Sequence, residues 1–117
     1  MAKEKKLFIA ATRQNDGKTV VSLGLAMALR KRVPNICFLK PVGQRYEEIG
    51  GEKIDEDALL IEGVCKFGSR LQDMSPLAIE RGFTQKYIER GNIKELEEKI
   101  KKSYERVAAG KEFVMIE

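Results

Sequence analysis

A chain of 117 residues, 43% hydrophobic and 34% charged, can build one small domain with a modest core. Its net charge of +4 arises from Lys and Glu mixed along the sequence; this leaves no concentrated basic face for nucleic acid, and no apolar run approaches the ~20 residues that span a membrane. Histidine is absent, which excludes a Ser-His-Asp triad, a Cys-His pair and any His-ligated metal site.

The charged start, Met1 to Lys6, leads straight into a short apolar run. It lacks the long apolar segment and small-residue cleavage site of a signal peptide, and the expected compartment is the cytoplasm. Lys6 to Ala11 reads as a short buried strand, and Thr12 to Lys18 as a polar loop. Lys18 to Arg32 reads as a helix, apolar on several sides through Val20, Val21, Leu23, Leu25, Met27 and Leu29 and therefore expected to pack deep against a sheet. Arg30, Lys31 and Arg32 favour its C-terminal end, and Pro34 stops it. Ile36 to Val42 is the second strand and Gly43 to Gly51 a loop. Asp55 to Lys66 reads as a helix with Asp55 as its cap. Gly68 to Gly82 is expected to be irregular, and Thr84 to Arg90 to be a short helix. In Ile93 to Ala109, apolar residues recur at steps of three and four, Asn92 is the cap, and Gly110 supplies the stop. Phe113 to Ile116 is a third apolar strand, ending at Glu117. Cys37 and Cys65 lack metal-ligand spacing and read as buried thiols.

Strands alternating with helices predict right-handed crossovers and a parallel sheet. The continuous apolar runs predict cover on both sheet faces. The fold class is α/β, of the three-layer P-loop NTPase type.

The segment Thr12-Arg13-Gln14-Asn15-Asp16-Gly17-Lys18-Thr19 lies between the first strand and the first helix. It matches the phosphate-loop pattern G-x-x-x-x-G-K-[ST] except that Thr12 stands at the first glycine. Gly17 permits close approach of backbone to phosphate, and the amides at the helix start point at the anion. Lys18 can neutralise the β- and γ-phosphates, and the Thr19 hydroxyl can coordinate magnesium. Thr12 to Val20 (with Thr12, Arg13, Gln14, Asn15, Asp16, Gly17, Lys18, Thr19 and Val20 all counted) is the expected nucleotide site, with ATP and Mg2+ as its ligands. A bare Gly-Lys-Thr can also open a helix by chance; the strand-loop-helix context favours phosphate binding.

Ala11-Thr12 with Gly17-Lys18-Thr19, Phe38-Leu39-Lys40-Pro41-Val42, Asp57-Ala58-Leu59 and Val114-Met115-Ile116-Glu117 resemble segments of dethiobiotin synthetase. That family's phosphate loop also carries threonine where glycine is usual. Gln14-Asn15, Met74-Ser75-Pro76 and Arg81-Gly82-Phe83-Thr84 are similar to a subgroup of small ATPases described as cobyrinic acid a,c-diamide synthase-like, and to the N-terminal domain of long phosphate acetyltransferases. The resemblance spans nearly the whole chain.

The resemblance implies an ATP-dependent activation of a carboxylate or carbamate in cofactor biosynthesis, a ligase-type reaction on a small carboxylate or amine substrate. Lys18 and Lys40 would stabilise the transferring phosphoryl group, and Thr19, Asp57 and Glu117 would hold magnesium. Each role has an alternative: Lys40 as a solvent-reaching strand-end lysine, Asp57 as a first-turn helix acid, Glu117 as a solvated terminus. Arg13 would stand where some related ATPases carry a lysine that reaches across a dimer, or is a solvated loop arginine. The resemblance also implies a sheet with the Phe113 strand in the middle, since Glu117 must reach the metal beside Thr19. Relatives continue beyond the acid, so residues 1–117 are expected to form a single, short or partial domain, completed in a homo-oligomer or by a second chain. Two further readings stand beside the enzyme: a regulatory nucleotide-binding module, and a truncated domain without turnover.

Overall fold

The computed structural model describes residues 3–11, 17–80, 82, 85, 86, 89, 91 and 93–117. Within them the chain forms strand β1 (Lys5–Phe8), helix α1 (Lys18–Leu29), and strands β2 (Ile36–Leu39), β3 (Val42–Gly43), β4 (Tyr46–Ile49) and β5 (Glu52–Asp55). Helices α2 (Glu56–Cys65) and α3 (Leu71–Met74), strand β6 (Leu77–Ala78), helix α4 (Ile93–Ala108) and strand β7 (Phe113–Ile116) follow.

The main sheet has the order β1-β7-β2 and is parallel throughout, the order expected from the sequence. Lys5 to Phe8 and Ile36 to Leu39 both run in register with Phe113 to Ile116. The fold is therefore α/β, with a parallel main sheet. Successive side chains of a strand point to opposite faces. Ile36, Cys37, Phe38 and Leu39 are all at most 1% exposed, so β2 is covered on both faces. Ile36, Cys37 and Phe38, with Val114 and Met115, are the centre of the core, and Ala26, Ala58, Ile61, Met74 and Val107 pack around them from the helices. Burial pushes the Cys37 thiol up to about 12 and also raises that of Cys65, so both stay protonated and act as apolar residues.

Several expectations need correction. First, β1 is not a buried strand: Lys5, Lys6 and Phe8 are exposed and only Leu7 is half-buried. It lies at the sheet edge beside β7, and no other described strand pairs with it. Second, α1 buries none of its large apolar residues fully, although Leu23 and Leu29 pack half-buried against the core. Ser22 and Ala26 are its buried positions, whereas Val20 (77% exposed), Val21, Leu25 and Met27 face outward. Among the described helices its main neighbour is α2. Third, α1 ends at Leu29, so the basic run lies beyond it. Arg30 instead donates to the carbonyl of Cys65 at 2.9 Å, closing the C-terminal end of α2.

The segment expected as loop between Gly43 and Gly51 contains structure. β4 and β5 form an antiparallel hairpin around Gly50 and Gly51, whose φ values of 58° and 82° suit the tight turn that matches strand twist. Likewise, Gly68 to Gly82 contains α3 and β6; β6 pairs in parallel with β3. α2 and α4 end one residue inside their expected limits. The helix expected over Thr84 to Arg90 and the Asn92 cap lie largely outside the described residues.

If the core is centred on β2, Phe38→Ala should cost about 3–5 kcal/mol of stability, whereas Val20→Ala on the outer side of α1 should change it by no more than about 0.5 kcal/mol. Urea denaturation of the two variants measures the difference.

Candidate functional site

Three segments end at the carboxyl edge of the main sheet, where open α/β sheets place their ligands. β1 leads through Ile9, whose amide donates to Ile116 O at 2.8 Å, toward the glycine at the start of α1. Gly17 adopts φ 85°, a left-handed conformation that glycine reaches without strain, and no side-chain cap covers the first amides of α1. Lys40 follows β2, and Glu117 follows β7 with its amide donating to Leu39 O at 3.0 Å.

These ends meet in one cavity of about 470 Å3, lined by Gly17, Lys18, Thr19, Val20, Lys40, Val42, Gln44, Arg45, Glu56, Asp57 and Glu117. Of the residues singled out in the sequence, Gly17, Lys18, Thr19, Val20, Lys40, Asp57 and Glu117 thus share one wall. Thr12, Arg13, Gln14, Asn15 and Asp16 lie outside the described residues.

The Thr19 hydroxyl lies 3.5 Å from Glu117 Oε1, at the outer limit of a hydrogen bond. The other Glu117 oxygen is buried without a hydrogen-bond partner among the described residues, and the Ser22 hydroxyl faces the same carboxylate without reaching hydrogen-bond geometry. Burial raises the Glu117 carboxyl above the ordinary range; the charge of Asp57 adds to this, and Lys40 opposes it. An unpartnered buried carboxylate oxygen beside a threonine hydroxyl is a natural place for a cation.

Lys40 is held by two carboxylates. Its ammonium contacts Asp57 Oδ2 and lies 3.3 Å from Asp55 Oδ1. Burial acts to lower its pKa, but the bond to Asp57 and the charges of Asp55, Asp57 and Glu117 outweigh it, and the net direction is upward. Lys40 is therefore a cation embedded in negative charge rather than a strand-end lysine reaching for solvent. Asp55 caps α2 as expected, accepting from the Asp57 amide at 2.8 Å. That capping turn aims Asp57 at the cavity.

Sequence reading passed over Gln44, Arg45 and Glu56 as lining residues, and over the ion pairing of Asp55. The available signal was local: Gly43-Gln44-Arg45 follows Lys40-Pro41-Val42 directly, so the chain has to turn beside the lysine. The cost of that turn is visible at Gly43, where a Cβ would lie 2.3 Å from Asp55 Oδ2.

Magnesium fits this donor set in a particular way. Among the described residues no group of three or more His, Cys, Asp or Glu could hold a metal ion. Magnesium does not require one, because it keeps several waters and takes one or two carboxylates together with phosphate oxygens. Thr19 and the orphaned Glu117 oxygen suit that pattern, and Asp57 suits it once Lys40 yields.

Gly43→Ala should force Asp55 out of place and cost about 1–3 kcal/mol of stability, the usual range for overpacking. Thermal or urea unfolding checks this, and an unchanged midpoint would show that the Asp55 carboxylate is not fixed there.

Comparison with known proteins agrees with this geometry. A family model described as an AAA domain matches residues 5–117. An ATP-dependent dethiobiotin synthetase of Methanocaldococcus jannaschii is 31% identical over 116 residues, covering 95% of this chain and 50% of that protein. The corresponding enzyme of Caldicellulosiruptor saccharolyticus is 26% identical over 114 residues, 97% of this chain and 47% of its own length. A phosphate acetyltransferase of Pseudomonas aeruginosa is 32% identical over 111 residues, which is 94% of this chain and 14% of that much longer protein. The chain spans about half the length of the dethiobiotin synthetases it matches. With a phosphate-loop glycine, lysine and threonine at the carboxyl edge of a parallel sheet and a family match over almost its entire length, the chain belongs to the AAA domain family as a dethiobiotin synthetase-like P-loop NTPase.

Proposed function

We propose that the chain binds Mg-ATP and serves an ATP-dependent ligase-type reaction that phosphorylates a small carboxylate or carbamate. The observation that carries this reading is the convergence of Lys18, Thr19, Lys40, Asp57 and Glu117 on one cavity. The first amides of α1 and the Lys18 ammonium receive the phosphates, and Lys40 adds a second positive charge where the transferring group becomes most negative. Thr19 and Glu117, with Asp57, hold magnesium. When bound, the ion supplies charge neutralisation across the phosphate oxygens. Arg45 lines the same cavity, and its positive charge suits an anionic second substrate.

Lys18→Ala should weaken ATP binding by about 2 kcal/mol, the scale of a charged hydrogen bond left unmade. Calorimetry reads this directly, and unchanged affinity overturns the assignment. Release of phosphate from ATP, stimulated by candidate carboxylic acids or carbamates, separates turnover from nucleotide binding alone.

The outward apolar face of α1 supports a second part of the reading. Val21, Leu25 and Met27, with Phe8 at 67% exposure on edge strand β1, leave large side chains and one strand edge open to solvent. Such a surface favours association. We infer a homo-oligomer, or a further polypeptide segment that covers this face. No helix among the described residues is long and apolar enough to cross a membrane, and a cytoplasmic site of action is part of the same proposal. Light scattering at micromolar concentration should give a mass above that of a single 13.3 kDa chain. The paired substitution Val21→Asp and Leu25→Asp should return it to one chain, with circular dichroism as the control for folding. A wild-type chain that stays monomeric removes the homo-oligomer.

A further inference from the structure

Asp55 carries more charge than its capping role needs. A helix N-cap accepts amide hydrogen bonds equally well through Ser, Thr or Asn, none of which brings a charge. Asp55 is 1% exposed, and burying a carboxylate costs several kcal/mol unless a partner offsets it. It is also held unusually firmly. Its amide donates to the buried Ser75 hydroxyl at 2.9 Å, and its Oδ1 accepts from the Asp57 amide at 2.8 Å. Its Oδ2, without a hydrogen-bond partner among the described residues, fills the space left by the missing side chain of Gly43. Its one cationic neighbour among the described residues is the Lys40 ammonium, 3.3 Å from Oδ1.

Asp57 differs in its surroundings. Its side chain is 21% exposed, it lines the cavity and it contacts the same ammonium. Lys40 therefore stands between a fixed, enclosed carboxylate and a second one that faces the ligand. The Lys40 backbone is itself anchored, its amide donating to Met74 O at 2.8 Å. The main chain is held there, and the side chain is left to choose which carboxylate its head rests on.

We propose that Asp55 is a positioning residue for Lys40: it is the fixed counterion that retains the ammonium when Asp57 turns to a divalent cation. This rests on the reading of Asp57 as a cation ligand. Without Asp55, Asp57 would be the one described carboxylate in ion-pair contact with Lys40, and cation binding there would have to break that last contact. With Asp55 present the lysine loses one of two partners and keeps its place beside the phosphates.

The test is a double-mutant cycle read by Mn2+ binding to the ADP-saturated protein, so that no γ-phosphate is present to draw Lys40 away. Asp55→Asn should lower Mn2+ affinity about tenfold. Lys40→Met should raise it about threefold in the wild-type background and about thirtyfold in the Asp55→Asn background, a coupling of about tenfold. A merely structural role for Asp55 predicts no such rescue. A Lys40→Met effect equal in both backgrounds overturns the proposal, as does a larger effect in the wild type. Asp57→Asn separates the two layers of the argument: it should weaken Mn2+ binding in every background. If it does not, the cation reading fails and the role of Asp55 falls with it; if it does while the cycle is additive, Asp55 alone is wrong. Should Asp55→Asn not fold, Asp55→Ser keeps a capping oxygen without the charge and enters the cycle in its place.

Discussion

The arrangement of this molecule depends on β7 pairing on both of its sides. Phe113 to Ile116 is the one strand of the main sheet with hydrogen-bonded neighbours to left and right, and without it β1 and β2 have no described contact through the sheet. Its inner residues, Val114 and Met115, are fully buried. Because the three strands are parallel and in register, their carboxyl ends fall on one line, and the residue after β7 emerges between the other two. That is why Glu117 reaches Thr19 on one side while its amide is held by Leu39 on the other.

A second constraint follows from the first. A strand buried on both faces must end somewhere, and β2 ends at a lysine. An ammonium at the rim of an apolar core is costly unless negative charge is brought to it. Three carboxylates supply that charge from different parts of the chain: Asp55 and Asp57 across the capping turn of α2, and Glu117 after β7. Their mutual repulsion is what raises Glu117 beyond the effect of burial, and Lys40 is what makes their proximity tolerable. The site is thus a balanced cluster, in which displacing one charge changes the position of the others.

Sequence patterns revealed the parts whose period or composition is strong. Ile36 to Leu39 and Phe113 to Ile116 are apolar at every position, and both are strands; Ile93 to Ala108 keeps a helical repeat and is a helix. The Gly17-Lys18-Thr19 signal marks the start of α1 because its chemistry is local. The hairpin was illegible for the opposite reason: Glu47 and Glu48 are exposed neighbours, so no alternation announces β4, and Gly50-Gly51 alone was the clue. The outward side of α1 could not be foreseen from its composition, since apolarity does not say which neighbours are present. Nor could the Lys40–Asp55 pair, which depends on how closely Gly43 lets the two segments pass.

The position of β7 has a kinetic side. It stands at the centre of the sheet but is synthesised after both of its neighbours: Lys5 pairs with Phe113, almost the whole chain away. Until it arrives, β1 and β2 have nothing to bridge them, and the apolar residues of β2 must wait under helices alone. Non-local pairing of this kind slows folding and leaves strand edges open in the interval. Glu117, which lines the cavity, is attached to that same strand, so a nascent chain has helix α1 before it has Glu117. Closure of the sheet and completion of the cavity wall are then one event.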